Sequence, residues 1–430
     1  MKKDIKVNNI FKTIVKYLVI YIIMLLIFCL AMIATYALPN KRIQGHIAES
    51  KELLLKQNSN PLFGEYIEGA KLDDFTDLLI MNTAMNKGKT SDESILVRAF
   101  ENSRYTTEEG NQYISLEKTI DDNNLYNNQE YSRYWHGIQT IIRPLLLFLN
   151  YEEIRFLFMI VMFLLLLIAS MYLNRNLGCL HAFSLAMAML LVCFFIVPAS
   201  LQYVGVFAIT LITTIIVNIM YERNKERYYP YLFFIVGGFT TFFDLLTVPL
   251  LTLGIPLIVV VLLINKKKKN IKKSLITIIK LSLLWCISYA TIFFAKWVIA
   301  SIVLHRDVIT VAIKNIIFRA NGNEEYPVTR LGAIKENLKF IYNSVLAVIC
   351  FITCIICAIK LIIYRKRIKE FKYLIPVLFI SLYPYIWYFV FAGHSTIHAF
   401  FTYRLQAITI FGILCSIAEL NRQNIEKGKK

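Results

Sequence analysis

Asp73 and Asp77 stand four residues apart, so on a helix their carboxylates share one face. A carboxylate in that setting can act as a general base, taking the proton of an attacking hydroxyl, a role worth about 10²–10⁴-fold in rate. Asp74 lies three residues before Asp77 and belongs to the same set. The alternative is a pair of solvated helix acids, one of them capping the N-terminus.

Further chemistry is suggested at four places. Arg133, Tyr134, Trp135 and His136 form a basic and aromatic run, with Arg143 shortly after. Arginine forks around phosphate oxygens and an indole stacks on the apolar face of a sugar, although an interfacial aromatic belt uses the same residues. Asp244 sits inside the apolar stretch Tyr231 to Ile264. A carboxylate there is either functional or the partner of an arginine at the same depth, Arg143 or Arg404. His394 and His398 have the i, i+4 spacing of metal ligands on a helix, but no Glu follows His394 as in the metalloprotease pattern. Two donors for a phosphate, joined by Tyr403 and Arg404, fit better; polar helix ends meeting water are the alternative. The segment 297–343 adds Arg319 and Arg330.

The elements that position these residues are read from hydropathy. Of 430 residues, 57% are hydrophobic, above the roughly 45–50% of soluble domains, and the excess falls in runs near the 20 residues that cross a bilayer core. Spans are expected at 14–38, 154–173, 179–197, 203–220, 231–243, 245–264, 275–296, 344–364, 372–391 and 404–420. The chain is therefore an all-α integral membrane protein, a bundle of about ten helices forming one domain over 1–430. Within it, 39–153 is a large extracytoplasmic loop region. Asp73 to Asn86 has helical apolar spacing, Ser91-Asp92-Glu93 is a plausible helix cap, and Trp135 to Leu149 reads as an interfacial helix.

The net charge of +18 would suggest nucleic acid in a soluble chain. Here the cations lie in short gaps: Lys2 to Lys16, Arg223 to Arg227, Lys266 to Lys273, Arg365 to Lys372 and the C-terminal tail. That is the positive-inside pattern of a plasma-membrane protein with both termini cytoplasmic, not a nucleic-acid footprint. As one helix, Tyr231 to Ile264 would be about 51 Å long and would turn Lys266 to Lys273 outward. A reversal at Phe243-Asp244 keeps every basic gap inside. All the chemistry-bearing residues then fall on the exterior face. The eight cysteines lie in apolar runs, and Cys350, Cys354 and Cys357 read as helix-packing residues rather than a redox or zinc motif.

The motifs Asp73-Asp74-Phe75-Thr76-Asp77, Ser132-Arg133-Tyr134-Trp135-His136-Gly137, Arg143-Pro144-Leu145-Leu146, Phe243-Asp244-Leu245-Leu246-Thr247 and His394 through Arg404, in this order and on one side, resemble the C-type (GT-C) membrane glycosyltransferases, and among them a bacterial GT-C-like group. The resemblance implies transfer of a sugar from a polyprenyl-phosphate-linked donor to an acceptor outside the cytoplasm, in cell-surface glycan or glycolipid assembly. It places the base at Asp73 or Asp77. Some members use a divalent metal; no metal cage and no other cofactor is identified in this chain. A surface-polysaccharide polymerase or ligase uses similar substrates. A lipid-linked-sugar flippase would instead place charges near the bilayer midplane, often in paired broken helices.

Overall fold

The computed structural model describes residues 2–56, 67–122, 124–342 and 371–428, together with 348, 351–352, 355–356 and 359; within these, side chains are described from residue 11 to 420. Among the described residues the chain is helical, with only the isolated bridges Arg104–Gln129 and Gly322–Pro327. The helices are α1 (Lys2–Tyr36), α2 (Asn40–Glu49), α3 (Lys51–Lys56), α4 (Asp74–Met85), α5 (Ile95–Glu101), α6 (Gln112–Asp121), α7 (Gln139–Leu145), α8 (Tyr151–Leu177), α9 (Cys179–Leu191) and α10 (Leu201–Glu222). There follow α11 (Tyr229–Phe243), α12 (Leu251–Lys267), α13 (Ile271–Leu304), α14 (Val308–Asn321), α15 (Arg330–Tyr342), α16 (Ile375–Ile380), α17 (Tyr383–Val390), α18 (Ala392–Ile397), α19 (Ala399–Thr402) and α20 (Gln406–Gly428).

Five stretches among the described residues are long and apolar enough to cross a membrane: Phe11–Tyr36, Tyr151–Leu177, Leu201–Glu222, Ile271–Leu304 and Ala399–Leu420. The first, second and fourth turn most of their apolar side chains outward, as surfaces in contact with lipid do. The other expected spans come out differently. α9 stops at Leu191, short of 197, because the chain turns at Cys193 in a left-handed conformation (φ 55°) and continues as a 3-10 turn. α11 and α12 have 15 and 17 residues, and 372–391 is divided into α16 and α17 with Pro376 and Pro384 at their starts. The expected span 344–364, with its three cysteines, lies outside the continuously described residues.

Chain direction is nonetheless clear from contacts at the two ends of the bundle. At one end, Arg175 pairs with Glu222 (3.2 Å), Lys267 with Glu226, His181 with Glu419 (3.2 Å), and Lys266 donates to the carbonyl of Asn176. This lysine-rich end thus gathers the finishes of α8, α10, α12 and α20. At the other end the starts of α8 and α10 meet α4, and the finish of α11 meets Gly137, whose N–H donates to the Phe242 carbonyl at 2.8 Å. The reversal expected at Asp244 is therefore present: α11 and α12 run in opposite senses. α12 is buried on every side from Leu251 to Leu263, which makes it the axis of the bundle.

The segment before α8 is folded onto this second end rather than hanging from it. The cap expected at Ser91, with Asp92 and Glu93 in the first turn, sits three residues later: Ser94 Oγ accepts from the Val97 N–H at 3.2 Å, and the two acids precede the helix. The region 297–343, read as a loop, holds the last turns of α13 followed by α14 and α15. α11 and α13 approach most closely at Gly237, where an added Cβ would collide with the Trp285 carbonyl. Gly237→Ala should therefore lower the unfolding temperature in detergent, at a cost of about 1–3 kcal/mol. Gly45→Ala, exposed on α2 with nothing within 4 Å, should not lower it.

Candidate active site

Asp73 is the N-cap of α4: its carboxylate accepts from the Thr76 N–H (3.1 Å) and the Thr76 hydroxyl (2.9 Å), while its own N–H donates to Ser200 Oγ (3.0 Å). One turn on, Asp77 accepts from the Tyr151 hydroxyl at 2.6 Å and from the Leu201 N–H at 2.8 Å. Both carboxylates are buried, as is Asp74. Burial pushes Asp73 up to about 6, against the opposing pull of Thr76 and of the Arg404 guanidinium. Burial likewise pushes Asp77 well above the usual carboxylate range, although Tyr151 and Arg155 oppose it.

Arg404 completes this corner. Its guanidinium donates to the carbonyls of Phe400 (2.9 Å) and Gly69 (3.0 Å) and lies over the rings of Tyr203 and Tyr403. Gly69 also accepts from the Tyr403 hydroxyl at 2.9 Å, and a Cβ there would collide with that hydroxyl. A buried carboxyl pushed up toward neutrality and a buried cation are thus held together by residues far apart in sequence.

Beside this corner lies a cavity of about 640 Å³ with almost wholly apolar walls. One wall is an aromatic ladder on α13, Trp285, Tyr289, Phe293 and Trp297, with successive rings 4.8, 5.2 and 6.0 Å apart. Among the described residues, Arg133 and Arg319 are the only charged ones that line it. Arg133 lies over Tyr131 and Tyr134 (4.5 and 5.3 Å). Arg319 Nη1 donates to His394 Nδ1 at 3.1 Å and to His398 Nε2. Phe401 stacks on His398 at 5.0 Å and also meets Tyr203, so the rings of His398, Phe401 and Tyr203 link Arg319 on the cavity wall to Arg404 in the Asp73–Arg404 corner.

Several expected site residues have other work. The ring of Trp135 is packed among Phe28, Phe100 and Phe242, and its indole N–H donates to the Ile292 carbonyl at 3.0 Å, so it offers no face to a sugar. The interfacial helix expected around it is only the short α7. His136, with its ring nitrogen 3.0 Å from the Tyr131 carbonyl, is also buried. Arg143 is fully enclosed and donates to the carbonyls of Thr35 (3.1 Å) and Ala84 and to the Asn40 side chain (2.7 Å). Arg330 clamps the carbonyls of Ala320, Phe389 and Val390. Asp244 pairs with neither Arg143 nor Arg404; it accepts from the Thr247 N–H at 2.8 Å and from the Thr247 hydroxyl, closing the turn between α11 and α12.

His394 and His398 are turned toward Arg319 as acceptors, and burial together with that guanidinium pushes His398 down to about 3. They do not present charged donors to a phosphate; they accept from the Arg319 guanidinium and fix its position. Among the described residues no cluster of three or more His, Cys, Asp or Glu is arranged to hold a metal ion. The residues that sequence reasoning left out are Tyr151, Arg319 as a site residue, and the α13 ladder. The ladder has a legible signal, aromatics every four residues from 285 to 297.

No family model, curated protein or solved structure matches the chain.

The raised Asp73 has a signed consequence for stability. Its folded-state value lies above the usual 3.8, so the folded state holds the proton more tightly and stability falls as pH rises from about 4 to about 6. Asparagine caps a helix as well but does not titrate. Relative to wild type, Asp73→Asn should gain up to about 3 kcal/mol across that window and no more above it, measured by chemical unfolding at a series of pH values.

Proposed function

We propose that this chain is a multi-pass plasma-membrane glycosyltransferase of the GT-C type. It moves a sugar from a polyprenyl-phosphate carrier to an extracytoplasmic hydroxyl in cell-surface glycan or glycolipid assembly. The observation that carries this reading is the aromatic cavity whose only charged lining residues, among the described residues, are Arg133 and Arg319. A long isoprenoid is recognised by apolar and aromatic walls, and its phosphate by fixed guanidinium forks. A nucleotide would need polar recognition of its base and ribose, and the cavity wall offers almost none.

In this reading the lysine-rich end faces the cytoplasm under the positive-inside rule, so the carboxylate end faces out. The five long apolar helices and the shorter α9, α11, α12 and α16–α17 supply nine of the ten expected crossings; the remaining one, 344–364, lies outside the continuously described residues. The carrier enters from the bilayer with its phosphate between Arg133 and Arg319. The acceptor hydroxyl attacks the anomeric carbon as the sugar–phosphate bond breaks. Asp73 takes the hydroxyl proton, and the carrier phosphate leaves with its negative charge held by the two arginines. Asp73 suits the base better than Asp77, because the Asp77 carboxylate already joins α4 to α8 and α10, whereas the Asp73 carboxylate is bonded only within its own helix cap, at Thr76, and lies near Arg404. A flippase reading draws less support, since these charges lie at one end of the bundle rather than at mid-depth.

The assay offers purified protein a polyprenyl-phosphate sugar or the matching nucleotide sugar with a panel of acceptors. Turnover of the lipid-linked donor alone is expected. Asp73→Asn should slow it about 10²–10⁴-fold. Arg319→Ala should slow it about 10- to 150-fold, the worth of one charge-assisted hydrogen bond, with only partial rescue by Arg319→Lys. Efficient turnover of the nucleotide sugar without a carrier would overturn the proposal.

A further inference from the structure

A second cleft, of about 670 Å³, opens at the lysine-rich end, between the α10–α11 turn, the finish of α12 and the start of α13. Four cations line it: Arg227, Lys267, Lys273 and Lys280. Among the described residues the only carboxylate on its wall is Glu226, which is already paired with Lys267. The remaining wall is largely apolar, with Leu263, Ile276 and Leu281 on it. A cleft with three uncompensated cations above an apolar floor is matched to a ligand with an anionic head and hydrocarbon below.

Depth makes the ligand more specific. Lys273, Thr277 and Lys280 follow one another at i, i+4 and i+7 on α13, so all three face the cleft. Lys280 lies seven residues further along α13 than Lys273, about 10 Å deeper. It is flanked there by the outward-facing apolar residues Ile276, Ile279 and Leu283. An ammonium set that far into an apolar helix is costly unless it reaches toward an anion at the interface.

We propose that this cleft binds the phosphate headgroup of an anionic phospholipid of the inner leaflet. Lys273 and Lys280 grip the headgroup from α13, and Arg227 closes over it from the α10–α11 turn. The bound lipid would join α11, α12 and α13 at the end opposite the candidate active site, independently of what reaction that site performs.

The test uses full-length protein, delipidated in non-ionic detergent and then given phosphatidylglycerol, phosphatidylcholine or inorganic phosphate. Retained lipid is read by native mass spectrometry and stability by the unfolding temperature. Phosphatidylglycerol should be retained and should raise the unfolding temperature; the other two should do neither. Each cation lost near a headgroup weakens binding about fivefold, so Lys273→Gln with Lys280→Gln should lower retention roughly 25- to 30-fold. Lys280→Arg should keep it. Glu226→Gln leaves every cation in place and should hold the lipid at least as well, which guards against misfolding of the double variant. Equal retention of phosphatidylcholine, or undiminished retention by the double variant, would overturn the proposal. Stabilisation by inorganic phosphate equal to that by phosphatidylglycerol would assign a soluble anion and overturn the lipid.

Discussion

The carboxylate of Asp77 is the joint on which the architecture turns. It is buried, and its oxygens accept from a side chain at the start of α8 and from a backbone N–H at the start of α10. A helix start leaves N–H groups without partners and attracts negative charge, so the first turn of α10 supplies part of what burial costs. The Tyr151 hydroxyl supplies another part. The result is that α4, from a hydrophilic segment of more than a hundred residues, is seated inside the end of a membrane bundle. With α4 fixed there, Asp73 is held by Ser200, and Gly69 receives Tyr403 and Arg404 from the far end of the chain. Removing the joint would leave α4 without its side-chain links to the starts of α8 and α10.

The two ends of the bundle are chemically unlike, and the difference unites the readings given above. One end holds lysines and arginines in short turns, paired across the helices that finish there. The other holds buried carboxylates, enclosed arginines and a cavity walled by aromatic rings. A bilayer with anionic lipid on one leaflet sorts such a molecule in one direction. In the proposed orientation the same sorting would place the candidate site away from cytoplasmic nucleotide sugars, and for that reason a lipid-borne donor is proposed for the cavity.

Local patterns carried much of this to the reader of the sequence. Asp73 before an apolar-periodic run marked the start of α4, and the charge at Asp244, read with the basic gap after it, marked the reversal between α11 and α12. The grouping of the motifs at one end followed from alternation of hydropathy and charge. What stayed hidden was pairing across long separations: Asp77 with Tyr151, Gly69 with Arg404, and Arg319 between two histidines 75 and 79 residues away. Residue type misled where a polar group was buried to hold backbone. Arg143 and Arg330 look like phosphate ligands, yet each is consumed by carbonyls left open at helix ends, and Trp135 looks like a sugar platform although its indole is locked in a core. Span lengths were overcalled for α9 and for 372–391 because hydropathy does not register a left-handed turn or a proline break as an end.

The claim beneath the whole account is that the carboxylate end faces out and the lysine end faces in. In a background without the eight native cysteines, single cysteines at Thr90 and Lys268 can be probed in intact cells with a membrane-impermeant thiol reagent. The account predicts labelling at 90, and none at 268 until the cells are opened. Labelling at 268 with none at 90 would invert the molecule, set the aromatic cavity and Asp73 against the cytoplasm, and contradict a lipid-borne donor taken up from outside.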